Sequence, residues 1–215
     1  MSHQRAYPAD LRIWFWFLAH DRCTPEMSAM ERKVTLMKVL TFAASNSRKS
    51  INRSLVAFAA ERLRQRSPNT EIEFLDLNDY EMPIYSPDRE AVGGVPGPAR
   101  AFYDKIGAAD AVLISFAEHN GAATAAWKNI FDWMSRIDMA VWQNKPLVLL
   151  AASPGSRAGA SVLASQEVSI PFAAGDVKAK HGIGEWPKAW DADARRLIHD
   201  ADIAAIDRAV ACLVP

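Results

Sequence analysis

Cysteine is nearly missing from this chain: Cys23 and Cys212 are the only two in 215 residues. They lie far apart, with no CxxC pair and no metal-ligand spacing, so neither a disulfide framework nor a metal site is expected. An excess of either charge is missing too, with 25 Lys and Arg against 25 Asp and Glu. A nucleic-acid surface needs a clustered basic excess, and an electron carrier that docks by charge needs an acidic one. Long apolar runs are also absent. Ile13-Trp14-Phe15-Trp16-Phe17-Leu18-Ala19 is the most apolar short run, and it falls far short of the ~20 residues that cross a bilayer. His20-Asp21-Arg22-Cys23 follows it in place of a small-x-small cleavage site. The expectation is a cytoplasmic protein with no membrane and no nucleic-acid partner. No GxGxxG occurs, which removes the Rossmann dinucleotide fingerprint, and no GxxxxGKS or GxxxxGKT, which removes a P-loop nucleotidase.

What remains is ordinary globular material, half hydrophobic, in a length suited to one domain with a real core. Its organising stretch is Val39-Leu40-Thr41-Phe42-Ala43-Ala44 followed by Ser45-Asn46-Ser47-Arg48-Lys49-Ser50-Ile51-Asn52. An apolar strand stops, a hydroxyl-rich loop follows, and Ile51 to Arg66 has helical spacing. Strand, polar loop and helix start make a phosphate site: unpartnered N–H groups and the helix dipole favour an anion. Ser45, Ser47, Ser50 and the Asn52 amide add side-chain donors. A simple N-cap at Ser50 or Asn52 would need only one such residue.

Two further strands end the same way. Ala111 to Phe116 and Pro146 to Ala152 are near-continuous apolar runs, as strands buried on both faces are. The loops after them begin at Ala117 and Ser153. Glu71 to Leu77 reads as a second strand, Ala99 to Ala108 and Ala122 to Arg136 as helices, and Val177-Lys178-Ala179 as a short last strand. Asp191 to Leu213 reads as helix in two pieces. Asn78 to Pro98, with four prolines and three glycines, is a long connection of the functional or flexible kind. Strands alternating with helices imply a parallel sheet covered on both faces, with ligands beyond the carboxyl ends of its strands. All three unusual loops fall on that edge.

Residues 1–36 read as an N-terminal extension, either an over-called start or a poorly ordered segment, before a domain at 37–215. The competing reading is a hydrophobic arm that packs on a partner subunit.

Three segments resemble the NAD(P)H-dependent FMN reductases of flavodoxin-like fold, a family with quinone, azo-dye and chromate reductases. The first is Ala44-Ser45-Asn46-Ser47-Arg48-Lys49-Ser50-Ile51-Asn52, similar to Gly-Ser-x-Arg-x-x-Ser-x-Asn. Ala44 stands at the usual glycine, and Ser47 at the usual arginine with Arg48 one residue later. The second is Ala117-Glu118-His119-Asn120-Gly121-Ala122 leading to Asp132-Trp133-Met134-Ser135-Arg136, similar to Pro-Glu-Tyr-Asn-Gly-Ser and Asp-Trp-Leu-Ser-Arg, with His119 at the usual tyrosine. The third is Ser153-Pro154-Gly155-Ser156-Arg157-Ala158-Gly159, similar to Ser-Pro-Gly-x-x-Gly-Gly.

The resemblance implies a flavodoxin-like three-layer α/β sandwich, its five-stranded parallel sheet in the order 2-1-3-4-5. It implies FMN as cofactor, NADPH or NADH as co-substrate, a small-molecule electron acceptor, and a homodimer or homotetramer. The cofactor residues it implies are Ser45, Ser47, Arg48, Ser50, Ile51 and Asn52 around the phosphate. Glu118, His119, Asn120 and Gly121 would lie against the ring, with Ser153, Pro154 and Gly155 beside them. Hydride transfer between stacked rings needs positioning more than acid–base help, so no catalytic side chain is expected. Glu118 reads as a loop-holding carboxylate and His119 as either a structural histidine or a ligand contact. Asp132 and Arg136 read as a helix-surface pair, with a dimer-interface role for Trp133 and Arg136 as the alternative. Rival functions are an FMN-binding electron carrier without turnover and a non-flavin phosphate-binding interaction protein.

Overall fold

The computed structural model describes residues 36–214. The readings made for the N-terminal extension lie outside the described residues. The central sheet holds β1 (Met37–Ala44), β2 (Thr70–Leu75), β3 (Ala111–Phe116), β4 (Pro146–Ala152) and β5 (Asp176–Ile183). All neighbours are parallel, in the order β2-β1-β3-β4-β5. The helices are α1 (Ile51–Arg66), α2 (Pro87–Gly93), α3 (Gly97–Ala108), α4 (Ala125–Met134), α5 (Ala160–Phe172), α6 (Trp186–Ala189) and α7 (Asp200–Ala211). This is the flavodoxin-like α/β sandwich that the resemblance implies. Among the described residues no helix is long and apolar enough to cross a membrane.

Alternation along the strands builds the two faces. Val39, Leu113, Val148 and Leu150 pack with α1 and α7, while Leu40, Phe42, Ile114 and Leu149 pack with α3, α4 and α5. On the second face Trp127 centres an aromatic group. Its ring lies 5.3 Å from Phe42, 5.7 Å from Trp142 and 6.2 Å from Phe116. Trp127, Ile130, Phe131 and Met134 therefore point their helical stripe into the core, as their spacing predicts, while Ala123 packs against it from the hairpin before the helix.

Four elements differ from the sequence reading. β5 is eight residues long, not three, because an edge strand alternates with solvent and carries Lys178 and Lys180. The stretch from Asp191 is not helical at first. Trp190–Asp191 pairs antiparallel with Arg196–Leu197, and Asp191 Oδ1 accepts from the N–H groups of Asp193 and Ala194 to close the turn. The connection after β2 is partly regular: Asp76 caps a 3-10 turn at Leu77–Tyr80, and Ser86 caps α2 with Pro87 at its start. Ala122 belongs to a small hairpin, and α4 begins at Ala125.

At the opposite edge of the sheet, Glu73 of β2 pairs with Lys38 of β1 at 2.7 Å and with Lys105 of α3. Hydrogen bonds from Lys105 and then Lys38 hold the Glu73 carboxyl below its ordinary range. A depressed carboxylate stabilises the fold above its unfolded-state pKa, and that contribution is lost as pH falls through the folded value. Glu73→Gln is expected to lower the unfolding free energy by about 1 kcal/mol at pH 7. The difference from wild type should shrink as pH falls below the ordinary glutamate range. Urea unfolding across an acid pH series checks this.

Candidate functional site

Strand register brings the three loops together. Ala44 of β1 is level with Phe116 of β3, and Phe116 is level with Ala151 of β4. With strands spaced by about 4.8 Å, Ser45, Ala117 and Ala152 start side by side along one edge.

The first loop is built by its own serines. Ser45 Oγ accepts from Ser47 N–H at 3.2 Å, and Ser47 Oγ accepts from Lys49 N–H at 3.3 Å. Ser50 N–H donates to Ser47 O at 3.1 Å, and the Ser50 side chain makes no cap bond. Among the described residues the N–H groups of Asn46, Arg48, Ile51 and Asn52 have no protein acceptor. Four free donors around the start of a sixteen-residue helix form an anion cradle, the arrangement an FMN phosphate requires. Arg48 is exposed and forms no ion pair among the described residues.

Asn52 corrects the sequence reading. Its carboxamide does not face the loop as a donor to an anion. Nδ2 donates to Ala152 O at 3.1 Å. Oδ1 accepts from Ala152 N–H at 2.7 Å and from Ser115 Oγ–H at 2.8 Å. The residue is 2% exposed and ties α1 to the ends of β3 and β4. What it leaves for a ligand is its backbone N–H.

The second loop is a hairpin in which Glu118–His119 pairs with Ala122–Ala123. Asn120 at φ 53° and Gly121 at φ 79° form its turn, the left-handed pair that Asn-Gly favours. That dipeptide was the available signal for the hairpin. His119, Asn120 and Gly121 are exposed at the rim. The Glu118 carboxylate accepts from Val162 N–H at 2.8 Å, in the first turn of α5. It therefore neutralises a helix start and locks the second loop to the third.

The third loop is seated tightly. Ser153 N–H donates to Ile183 O, Ser153 Oγ–H donates to Gly155 O at 2.8 Å, and Gly155 O also accepts from Glu185 N–H. A Cβ on Gly159 would lie 2.5 Å from Ala151 Cβ, and its φ of 69° also favours glycine. Ser153 spends its hydroxyl inside the loop, whereas Pro154 and Gly155 face outward.

Sequence reasoning missed two positioning residues. Thr124 Oγ1–H donates to Ala44 O at 3.0 Å and Oγ1 accepts from Trp127 N–H, so one residue caps α4 and pins the hairpin to β1. Its signal was a threonine directly before a helical stripe. Ser115 was marked only as the single polar residue in a buried strand. Asp132 and Arg136 do not pair with each other. Asp132 binds Lys128, and Arg136 reaches Glu90 of α2. Trp133 is buried, its Nε1–H donating to Pro83 O.

Residues 37–175 match the family described as NADPH-dependent FMN reductase. The NADPH:quinone oxidoreductase of Arabidopsis thaliana is 28% identical over 144 residues, 67% of this chain and 72% of that protein. The NAD(P)H:quinone oxidoreductase of Solanum tuberosum is 30% identical over 135 residues, 63% of this chain and 68% of that protein. Among solved structures, the flavoenzyme NAD(P)H:(acceptor) oxidoreductase FerB from Paracoccus denitrificans superposes with a TM-score of 0.67. It is 22% identical, covers 82% of this chain and 94% of its own, and bears on the fold alone.

Asn52→Ala would strand Ala152 N–H, Ala152 O and Ser115 Oγ in the interior and is expected to cost about 2–4 kcal/mol. Ser50→Ala should leave stability within about 0.5 kcal/mol, because that hydroxyl caps nothing. Urea titrations of the two variants check the contrast; equal midpoints would refute the bridging role.

Proposed function

The chain belongs to the NADPH-dependent FMN reductase family, and we propose that its acceptor is a quinone and that it works as a homodimer or homotetramer. It is an NAD(P)H-dependent oxidoreductase with FMN as cofactor. The quinone assignment is supported by the plant relatives, which are quinone oxidoreductases. We infer that the activity resides in residues 37–215, a span supported by the family match over residues 37–175.

The single observation that carries this reading is the set of unpartnered N–H groups in the first loop. The N–H groups of Asn46, Arg48, Ile51 and Asn52 would hold the FMN phosphate, with the Ser50 hydroxyl free to join them. Ser45 and Ser47 act by shaping the loop, since each hydroxyl already accepts a backbone N–H there. Arg48 lends an exposed positive charge beside them. His119, Asn120 and Gly121, with Pro154 and Gly155, form the rim against which the flavin ring would lie. FMN, when bound, supplies the two-electron chemistry that links nicotinamide to quinone. Glu118 is committed to Val162 N–H, so it holds the loops rather than moving protons. The protein's task is to fix two ring systems in stacked contact and exclude water.

Oligomer formation is supported by α5, where Val168 and Phe172 lie one turn apart and are 65% and 84% exposed. Sedimentation velocity is expected to show a dimer or larger species, and Phe172→Glu to weaken it. A monomeric wild type would reject the assembly.

The activity is tested by the absorbance spectrum of the pure protein with FMN. A shifted flavin band is expected, bleached by NADPH without oxygen and restored by a quinone. Bound FMN that NADPH leaves oxidised would identify a carrier, and no FMN binding would reject the cofactor assignment.

A further inference from the structure

The second and third loops, 117–123 and 153–159, hold one Lys or Arg between them, Arg157, and one acid, Glu118. The acid is committed, since its carboxylate accepts from Val162 N–H at 2.8 Å. The arginine is not: Arg157 is exposed and forms no ion pair among the described residues. Lysines that follow it in the chain do find acids. Lys180 of β5 pairs with Glu167, and Lys188 of α6 pairs with Glu185.

Arg157 is also fixed in place. Its Nη2–H donates to Ser161 Oγ at 2.7 Å, in the first turn of α5. Ser161 Cβ stands 4.0 Å from the place a Cβ on Gly121 would take, so this anchor adjoins the hairpin turn at the ring side of the rim. The backbone beneath is rigid. Ala158 has φ 55° and Gly159 φ 69°, and Ala158 O lies so close to Gly182 of β5 that a Cβ there would come within 2.1 Å. One hydrogen bond to Ser161 leaves most of the five guanidinium donors free. A cation held this way is presented to a ligand at little ordering cost.

Charge identifies the ligand. The FMN phosphate has the first-loop donors, and a quinone is neutral. NADPH and NADH share a pyrophosphate and differ by one group, the 2′-phosphate of NADPH, a monoester with about −1.5 to −2 charges near neutral pH. A guanidinium matches such a group with two parallel hydrogen bonds. We propose that Arg157 binds the 2′-phosphate and makes NADPH the preferred co-substrate. The inference deepens the reductase reading and rests on it for the identity of the nucleotide.

NADP+ and NAD+ are the probes. Their Kd values are measured by equilibrium dialysis with the full FMN-loaded chain, so no turnover is involved. Wild type is expected to bind NADP+ about tenfold more tightly than NAD+. Arg157→Ala should abolish that difference while the NAD+ Kd stays within about twofold, and Arg157→Lys, which keeps the charge without the fork, should retain part of it. FMN affinity should be equal in all three proteins. Equal Kd values in wild type, a preference that survives in Arg157→Ala, or a parallel loss of NAD+ binding, which would place the arginine on the shared pyrophosphate, each overturn the proposal and leave the reductase reading standing. A wild type that prefers NADP+ through Arg157, yet whose bound FMN neither NADPH nor NADH reduces, supports the proposal and overturns the reductase reading instead.

Discussion

One buried carboxamide sets the geometry of the candidate site. Asn52 sits in the first turn of α1, yet its side chain answers to Ala152 at the end of β4 and Ser115 in β3. A single rigid group thus relates the helix start behind the anion cradle to the two strands that launch the other loops. The interior cannot leave those backbone groups unpaired, so the loop positions are specified by hydrogen-bond satisfaction and not by loop sequence alone. Thr124 and Glu118 extend the same logic, one binding the hairpin to β1 and the other binding it to α5. The result is a rim joined at three points.

That construction matters for binding. The free N–H groups of the first loop are already held apart by serine hydroxyls that consume the intervening donors. An anion arriving there meets donors that need no reorganisation, so little ordering entropy is lost on association. Asn129 and Trp133 likewise fasten the segment around Pro83 to α4.

Much of this was legible in the chain. Buried parallel strands announce themselves by continuous apolar runs, and β3 and β4 were placed at their observed bounds. The loops that follow them were found by the abrupt change to small and polar residues. What escaped depended on partners distant in sequence. The length of β5 was hidden because its charged residues are tolerated only at a sheet edge. The role of Asn52 was hidden because nothing local reveals that Ala152 and Ser115 lie within its reach. The hairpin at Asn120 and Gly121 was readable from the dipeptide and was passed over in favour of an early helix start. The Asp132–Arg136 spacing suggested a pair, but Glu90 of α2 offered Arg136 a nearer acceptor.

The two outer strands carry a consequence for how copies of this protein can meet. β2 presents Glu71 and Glu73, and β5 presents Asp176, Lys178 and Lys180. Bringing another strand alongside either border would crowd and desolvate these charged side chains and their ion pairs, which discourages lateral growth of the sheet. Continuous cross-chain sheets are thereby disfavoured even at high concentration, and contact between molecules is channelled to helix surfaces, where side chains and not open backbone determine which neighbour fits.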